Sequence, residues 1–189
     1  MAYPKGPKLG VDVGTVRVGL AACDPDSILA TPVRTVGRDV KKNSDIAIVL
    51  REARERAVVE IFVGLPRTLK GAEKASAEMA RTYANLLVGA LAAAEMAVPV
   101  RLVDERLSTV SAHQALHAAG MDSRDHRKVV DQVAAAGILQ HAIDMEKSRG
   151  TTVGTLVPAP TTVALGSTGA PDRGKDDQIS PVASPGTVL

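Results

Sequence analysis

Apolar residues along the first 149 positions follow strand-like and helix-like patterns in turn. Five runs rich in Val, Leu, Ile and Ala, bounded by Gly, Pro and polar residues, predict β-strands. These runs lie at residues 8–14, 16–23, about 31–36, 58–63 and 98–103. The first two are joined at Gly14-Thr15, and this junction predicts a β-hairpin.

Between and after these runs, apolar positions recur every three to four residues, as they do on one face of a helix. The predicted helices begin at Ser44 and span about 72–95, 109–119 and 128–147. The order of elements is therefore β-β-β-α-β-α-β-α-α. Three successive strands followed by alternating helices and strands predict an α/β domain with a mixed five-stranded sheet and helices on both faces.

The last forty residues differ from the rest in composition. Residues 150–189 contain 6 Gly, 5 Pro, 7 Thr and 3 Ser, so 21 of the 40 are turn or linker types. They show no sustained periodicity, and we expect a mostly disordered tail. The predicted organisation is one domain over residues 1–149 and a Gly/Pro/Thr-rich tail over 150–189.

The overall composition of the 189 residues narrows the possible functions. Only Phe62, Tyr3 and Tyr83 are aromatic, so we do not expect base stacking to be the main mode of any nucleic-acid binding. The net charge of +2 permits a polyanionic partner without requiring one. One cysteine, Cys23, excludes an internal disulfide and a cysteine-based zinc site. With neither a long apolar run nor a signal peptide, a cytoplasmic protein is expected.

A carboxylate interrupts the first apolar strand. Asp12 lies between Val11 and Val13, where the pattern predicts core. Burial of an unpaired carboxylate is costly, so this group must be neutral, paired or bound to a metal ion. Strand alternation puts Asp12 on the same face as Gly10 and Gly14, which leaves room for an ion and a closely approaching backbone. The ordinary alternative is a structural pair with a buried arginine.

Two adjacent acids follow the predicted strand at 98–103. Asp104 and Glu105 lie at the C-terminal end of this strand, where α/β sheets commonly bind their ligands. Their side chains should point to opposite faces, so one of the two can face a site. The alternative is a solvated loop that happens to be acidic.

A further acid lies at the start of the last predicted helix. Asp131 shares a helical row with Ala135, Ile138 and Ala142, and this row should face the sheet. The alternative role of Asp131 is a favourable interaction with the helix dipole. Carboxylates from two strands and a helix, without Cys or His to complete a zinc site, suit Mg²⁺ or Mn²⁺. Two such ions can promote phosphodiester hydrolysis, so the acids predict nuclease chemistry.

Four motifs occur in order along the chain. They are Gly10-x-Asp12-x-Gly14-x-x-Arg17-x-Gly19, Val63-Gly64-Leu65-Pro66 followed by Gly71, Asp104-Glu105-Arg106-Leu107-Ser108-Thr109, and Asp131-x-x-Ala134-Ala135-x-x-Ile138-Leu139. Each motif alone is a weak signal, but together, at this spacing, they are specific. Over about residues 8–146 the chain resembles the YqgF (RuvX) family of RNase H-like nucleases.

The resemblance implies an RNase H-like fold and a two-metal phosphodiesterase that uses Mg²⁺ or Mn²⁺. It also implies that Asp12, Glu105 and Asp131 are the catalytic and metal-binding triad, which selects Glu105 over Asp104. Members of this family are associated with maturation of the 5′ end of pre-16S rRNA and with resolution of Holliday junctions. We expect an endonuclease acting on pre-16S rRNA; the alternative is a resolvase that cuts four-way DNA as a homodimer.

Three basic residues lie close to the three acids in the sequence. Arg17, Arg106 and Lys128 are each near one member of the triad, and we expect them to contact backbone phosphates. The alternative for each is an ordinary solvated surface charge.

Two other classes of function have some support. The segment 12–15 also resembles the first phosphate-binding loop of sugar kinases and actin-like ATPases, but those enzymes need two related domains and this chain has length for one. A non-catalytic RNA-binding module is the other class. The intact acidic triad argues against it, and metal-independent binding without cleavage would favour it.

Overall fold

The computed structural model describes residues 2–66, 71–104 and 123–159. Its elements are β1 (Lys8–Val13), β2 (Arg17–Cys23), β3 (Ala30–Gly37), α1 (Ser44–Glu55), β4 (Glu60–Leu65), α2 (Gly71–Ala93), β5 (Val100–Asp104), α3 (Ser123–Arg149) and β6 (Thr155–Leu156). The helix predicted over about 109–119 lies outside the described residues. None of the helices in the described ranges is long and apolar enough to cross a membrane.

The strands form one mixed sheet in the order β3-β2-β1-β4-β5-β6. β1 is antiparallel to β2 and parallel to β4, and β4 is parallel to β5. The predicted hairpin is confirmed, because β1 and β2 pair directly across the turn that follows Val13. The predicted mixed α/β sheet is confirmed as well, but the prediction of five strands is wrong.

The sixth strand lies in the segment expected to be a tail. Thr155 pairs with Leu102 of β5, and the flanking residues Val153 and Val157 are buried. A two-residue strand is too short to give a periodic pattern, so the sequence offered no signal for it. Residues 150–159 therefore pack onto the domain, while 160–189 lie outside the described residues.

Two helical layers cover the sheet, as the sequence predicts. On one face, Leu9 and Val11 of β1 pack in a core with residues of α1 and α2. On the other face, Phe62 of β4 packs with Ala135 and Leu139 of α3. This arrangement follows from alternation, because successive residues of a strand point to opposite faces.

The direction of the strands gives the sheet two distinct edges. We call the edge where β1, β4 and β5 end the carboxyl edge, and the edge where they begin the amino edge. The β1–β2 turn and the end of β3 also lie at the carboxyl edge, because Arg17 pairs with Gly37. Helix α3 runs antiparallel to β1, from Asp131 near Gly19 at the carboxyl edge to Glu146 near Lys8 at the amino edge.

Candidate active site

Asp12 is the next-to-last residue of β1 and lies at the carboxyl edge. It is half-buried and pairs in register with Gly19 of β2. Burial and, to a smaller extent, the negative charge of Asp131 together raise the pKa of the Asp12 carboxyl from its ordinary 3.8 to about 6. The structure thus brings together two of the three acids that the sequence singled out.

Two glycines allow α3 to approach the sheet closely enough for this pairing of acids. A Cβ on Gly19 would overlap the backbone carbonyl oxygen of Asp131, and a Cβ on Gly10 would lie 2.6 Å from the carbonyl oxygen of Ala135. Any side chain at either position would push the helix outward. The helix backbone therefore fills the space that Gly10 leaves beside Asp12, and the predicted close approach of a second backbone is confirmed.

Asp131 lies well inside α3, not in its first turn. The helix begins at Ser123, and the predicted start at about 128 is wrong by roughly five residues. Because the helix dipole acts mainly on the first and last turns, it does not account for an acid at position 131. The predicted buried row is confirmed, since Ala135, Ile138 and Ala142 are all buried.

Arg17 forms an ion pair with Asp131. Its Nε donates a hydrogen bond to Asp131 Oδ2 at 2.6 Å, and the two side chains are 33% and 23% exposed. Arg17 lies two residues before Gly19 on β2, so both face α3. The arginine that the sequence marked for phosphate binding therefore holds a carboxylate of the candidate site. With a third of its side chain exposed, Arg17 also faces solvent.

The structure does not describe the side chains of the remaining site residues predicted from the sequence. Glu105 and Arg106 lie outside the described residues, and so does the side chain of Lys128 in α3. Asp104 is the last residue of β5 and is half-buried at the carboxyl edge. Glu105 directly follows Asp104 in the sequence.

The acids that the structure brings together have the chemistry of a divalent-cation site. Asp12 and Asp131 supply carboxylate oxygens, which Mg²⁺ and Mn²⁺ prefer. The raised pKa of Asp12 shows that its ionised form is poorly compensated, and a bound cation would compensate it. No group of three or more His, Cys, Asp or Glu side chains assembles within the described ranges, so a third protein ligand has to come from elsewhere, as Glu105 could.

A second charged cluster, which sequence reasoning missed, lies at the amino edge. Lys8 is completely buried and its Nζ pairs with Glu146 and, at 3.3 Å, with Glu60 Oε2. Arg101 Nε donates to Glu60 Oε1 at 2.6 Å. Glu60 stands inside an apolar run, and Glu146 continues the buried row of α3 by one turn beyond Ala142, so both signals were visible in the sequence.

Comparison with known proteins is consistent with the geometry. A family model described as "RuvX: Holliday junction resolvase" matches residues 6–145. A protein of Kineococcus radiotolerans named "Putative pre-16S rRNA nuclease" is 51% identical over 155 residues, which are 82% of this chain and 80% of that protein. A protein of the same name from Clavibacter michiganensis is 48% identical over 81% of this chain and 92% of its own length.

Among solved structures, the chain is similar to Thermus thermophilus RuvC in complex with a Holliday junction substrate. The TM-score is 0.49 and the identity 17%, over 80% of this chain and 99% of RuvC. It is also similar to the yeast mitochondrial Holliday junction resolvase Ydc2, with a TM-score of 0.37 and 11% identity, over 79% of this chain and 88% of the other.

Proposed function

Because this chain belongs to the RuvX family of nucleases, we propose that it is a metal-dependent endonuclease that matures the 5′ end of pre-16S rRNA. The observation that carries the proposal is the close approach of Asp12 and Asp131 at the carboxyl edge, where Gly10 and Gly19 admit α3. Two mutually repelling carboxylates are costly to hold together, and a site for divalent cations explains why they are held there.

The proposed catalytic set is Asp12, Glu105 and Asp131, and these side chains are the ones that would hold Mg²⁺ or Mn²⁺. Bound divalent cations supply a nucleophile at neutral pH and stabilise the charge that develops on the phosphodiester. Asp12 is fixed by the β1–β2 ladder, and Asp131 by the packing of α3 on that ladder. Both carboxylates are therefore presented by rigid elements, which is the arrangement that preorganised catalysis needs.

Arg17 has two roles in this proposal. Its Nε orients the carboxylate of Asp131, leaving Oδ1 for a cation. Its Nη atoms, on a side chain that is one-third exposed, contact a phosphate of the substrate. Arg106 and Lys128 are proposed as further phosphate contacts, on the basis of their positions beside Glu105 and Asp131 in the sequence.

The substrate proposal follows the names of close relatives. Proteins that are 51% and 48% identical over four-fifths of this chain are named for pre-16S rRNA. Processing of rRNA would place the protein in the cytoplasm. Resolution of Holliday junctions by a homodimer is the second candidate, and the description of the matching family model favours it.

The test is cleavage of two labelled substrates, a pre-16S 5′-leader RNA and a four-way DNA junction, with Mg²⁺ or Mn²⁺. Wild type is compared with Asp12→Asn, and Asp26→Asn serves as the matched control because Asp26 is an exposed acid at the amino edge. We expect RNA cleavage that Asp12→Asn abolishes and Asp26→Asn retains. Paired symmetric cuts in the junction would favour the resolvase, and metal-independent RNA binding without cleavage would favour a binding module.

A further inference from the structure

The loop between β3 and α1, residues 38–43, lies at the carboxyl edge beside the β1–β2 turn. The backbone N–H of Arg38 donates to the carbonyl oxygen of Val16 at 2.8 Å, and Gly37 pairs with Arg17. Arg17 in turn contacts Asp131. One chain of contacts therefore links this loop to the candidate active site.

The loop is held in one conformation by its own hydrogen bonds. Asp39 Oδ1 accepts from the backbone N–H groups of Lys41 and Lys42 at 3.2 and 3.0 Å, and Asp39 Oδ2 accepts from Ser44 Oγ at 2.7 Å. The backbone N–H of Asn43 donates to the carbonyl oxygen of Asp39 at 2.8 Å. Because four hydrogen bonds already close the loop, its backbone loses little further conformational entropy on binding.

Arg38 anchors the loop to the body of the domain and is not itself available to a ligand. Its Nη1 donates to Oδ1 and Oδ2 of Asp45 at 2.9 and 3.0 Å, and its guanidinium lies over the Tyr83 ring, 4.9 Å from the centroid. The side chains of Arg38 and Asp45 are 7% and 0% exposed. This buried pair fixes the base of the loop from which the next residues project.

The outward surface of the loop combines positive charge with apolar side chains. Lys41 and Lys42 are exposed, and Val40 is 72% exposed. Val16, at the neighbouring turn, is 68% exposed. Asp39 is ionised, since hydrogen bonds from Ser44 and from the backbone of Lys42 lower its pKa, but the two lysines outweigh this one negative charge. Cations next to apolar surface suit a single nucleic-acid strand, which offers both phosphates and unpaired bases.

We propose that this loop and turn bind the substrate strand on the β3 side of the active site, with Lys41 and Lys42 contacting its phosphates and Val16 and Val40 its sugars or bases. This inference rests on the proposed nuclease function and extends its substrate site. β3 is two strands away from β1, a distance of about 10 Å. The lysines therefore lie beside the active site and contact phosphates that flank the scissile one, not the scissile phosphate itself.

The experiment measures binding without chemistry, using Asp12→Asn as the parent protein. A fluorescent 20-nucleotide single-stranded RNA is titrated at several salt concentrations, and the slope of log affinity against log salt is compared for the parent and its Lys41→Ala/Lys42→Ala variant. Loss of two phosphate contacts should reduce the slope by about 1.4. The matched control is Lys5→Ala/Lys147→Ala, which removes two exposed lysines at the amino edge. We expect this control to leave the slope unchanged.

The outcomes separate the two proposals. An unchanged slope in a Lys41→Ala/Lys42→Ala protein with the parent's melting temperature, or an equal loss in the control, would overturn the binding surface while the nuclease proposal stands. If the lysine substitutions reduce the slope but the wild-type protein cleaves neither substrate, the binding surface is supported and the nuclease proposal is overturned. Phosphate-modification interference on the RNA should map the contacts to phosphates that flank the cut, and a map confined to the scissile phosphate would also count against the surface.

Discussion

The two ends of the β1–α3 pair carry opposite kinds of charged cluster. At the amino edge, Lys8 of β1 is paired with Glu146 of α3, and Glu60 and Arg101 complete a set of two acids and two bases. At the carboxyl edge, the same two elements bring Asp12 towards Asp131, and Arg17 pairs with Asp131. One cluster is neutral as a set, whereas the members of the other that the structure describes are two acids and one base.

The two clusters differ in how far their charged side chains are exposed to solvent. The side chains of Lys8, Glu60 and Glu146 are at most 1% exposed, so solvent ions have no access to them. Burial raises the pKa of Glu146, but its contact with Lys8 opposes that rise. Arg17 and Asp131 are both partly exposed, and burial together with the charge of Asp131 raises the pKa of Asp12 to about 6. A closed set of paired charges acts on stability and register, whereas an open, under-compensated set can accept a cation or a substrate.

The largest effect is expected from opening the closed cluster. Lys8→Met keeps most of the side-chain volume but leaves Glu60 and Glu146 without their shared cation. Loss of one partner from a buried pair should lower the free energy of unfolding by about 3–5 kcal/mol. Urea denaturation at pH 7 measures the change.

Lys147→Met is the matched control, because Lys147 is an exposed residue at the same end of α3. Its effect should stay within about 0.5 kcal/mol. Equal, small effects of the two substitutions would show that the amino edge is not a closed cluster of buried charges.

At the carboxyl edge, removing a charge should instead stabilise the metal-free protein. Asp12 is protonated in the fold up to about pH 6 but only up to 3.8 when unfolded, so its ionisation costs stability as the pH rises between these values. Asp12→Asn abolishes that cost. In EDTA, the free energy of unfolding of the variant should equal that of wild type near pH 4 and exceed it by about 2–3 kcal/mol above pH 7.

Thermal denaturation across pH 4–8 tests this prediction, with Asp26→Asn as the control for loss of an exposed carboxylate. The control should follow the wild-type curve. A loss of stability in Asp12→Asn at pH 8 would mean that the Asp12 carboxylate is well compensated in the fold, and the comparison between the two edges would fail.

The sequence predicted the acids of the carboxyl edge because each interrupts an apolar pattern. Asp12 does so in a strand and Asp131 in a helical row. Their partners could not be read in the same way, since Arg17 and Asp131 are 114 residues apart and Lys8 and Glu146 are 138 apart. Contacts at such separations depend on the tertiary fold. The early start of α3 was missed because residues 123–127 are polar throughout and give no amphipathic stripe.

The close approach of α3 to the sheet can be tested at Gly19. Gly19→Ala places a methyl group against the carbonyl oxygen of Asp131, so the helix has to shift. We expect a loss of about 1–3 kcal/mol in unfolding free energy, together with a loss of cleavage. Gly37→Ala is the matched control, because Gly37 ends the neighbouring strand and its Cβ would meet open space. Equal effects of both substitutions would contradict the close packing at Gly19.

The smallest effect on stability is expected for Arg17, whose pair with Asp131 is partly exposed. Arg17→Gln should cost no more than about 1 kcal/mol of unfolding free energy. Its effect on function should be larger, because groups that orient a metal-binding carboxylate typically contribute 10–100-fold, and we expect a loss of about that size in kcat with a raised Mn²⁺ requirement.

A matched control is available on the adjacent strand. Arg34 pairs with Glu52 at 3.2 Å and is 44% exposed, so Arg34→Gln removes a similar ion pair remote from the carboxylates of the site. It should leave kcat and the Mn²⁺ requirement unchanged. Arg17→Lys keeps the charge and should recover part of kcat. A rise in KM alone, with kcat and the Mn²⁺ requirement intact, would show that Arg17 only binds phosphate. The open carboxyl edge would then lack a residue that positions its acids.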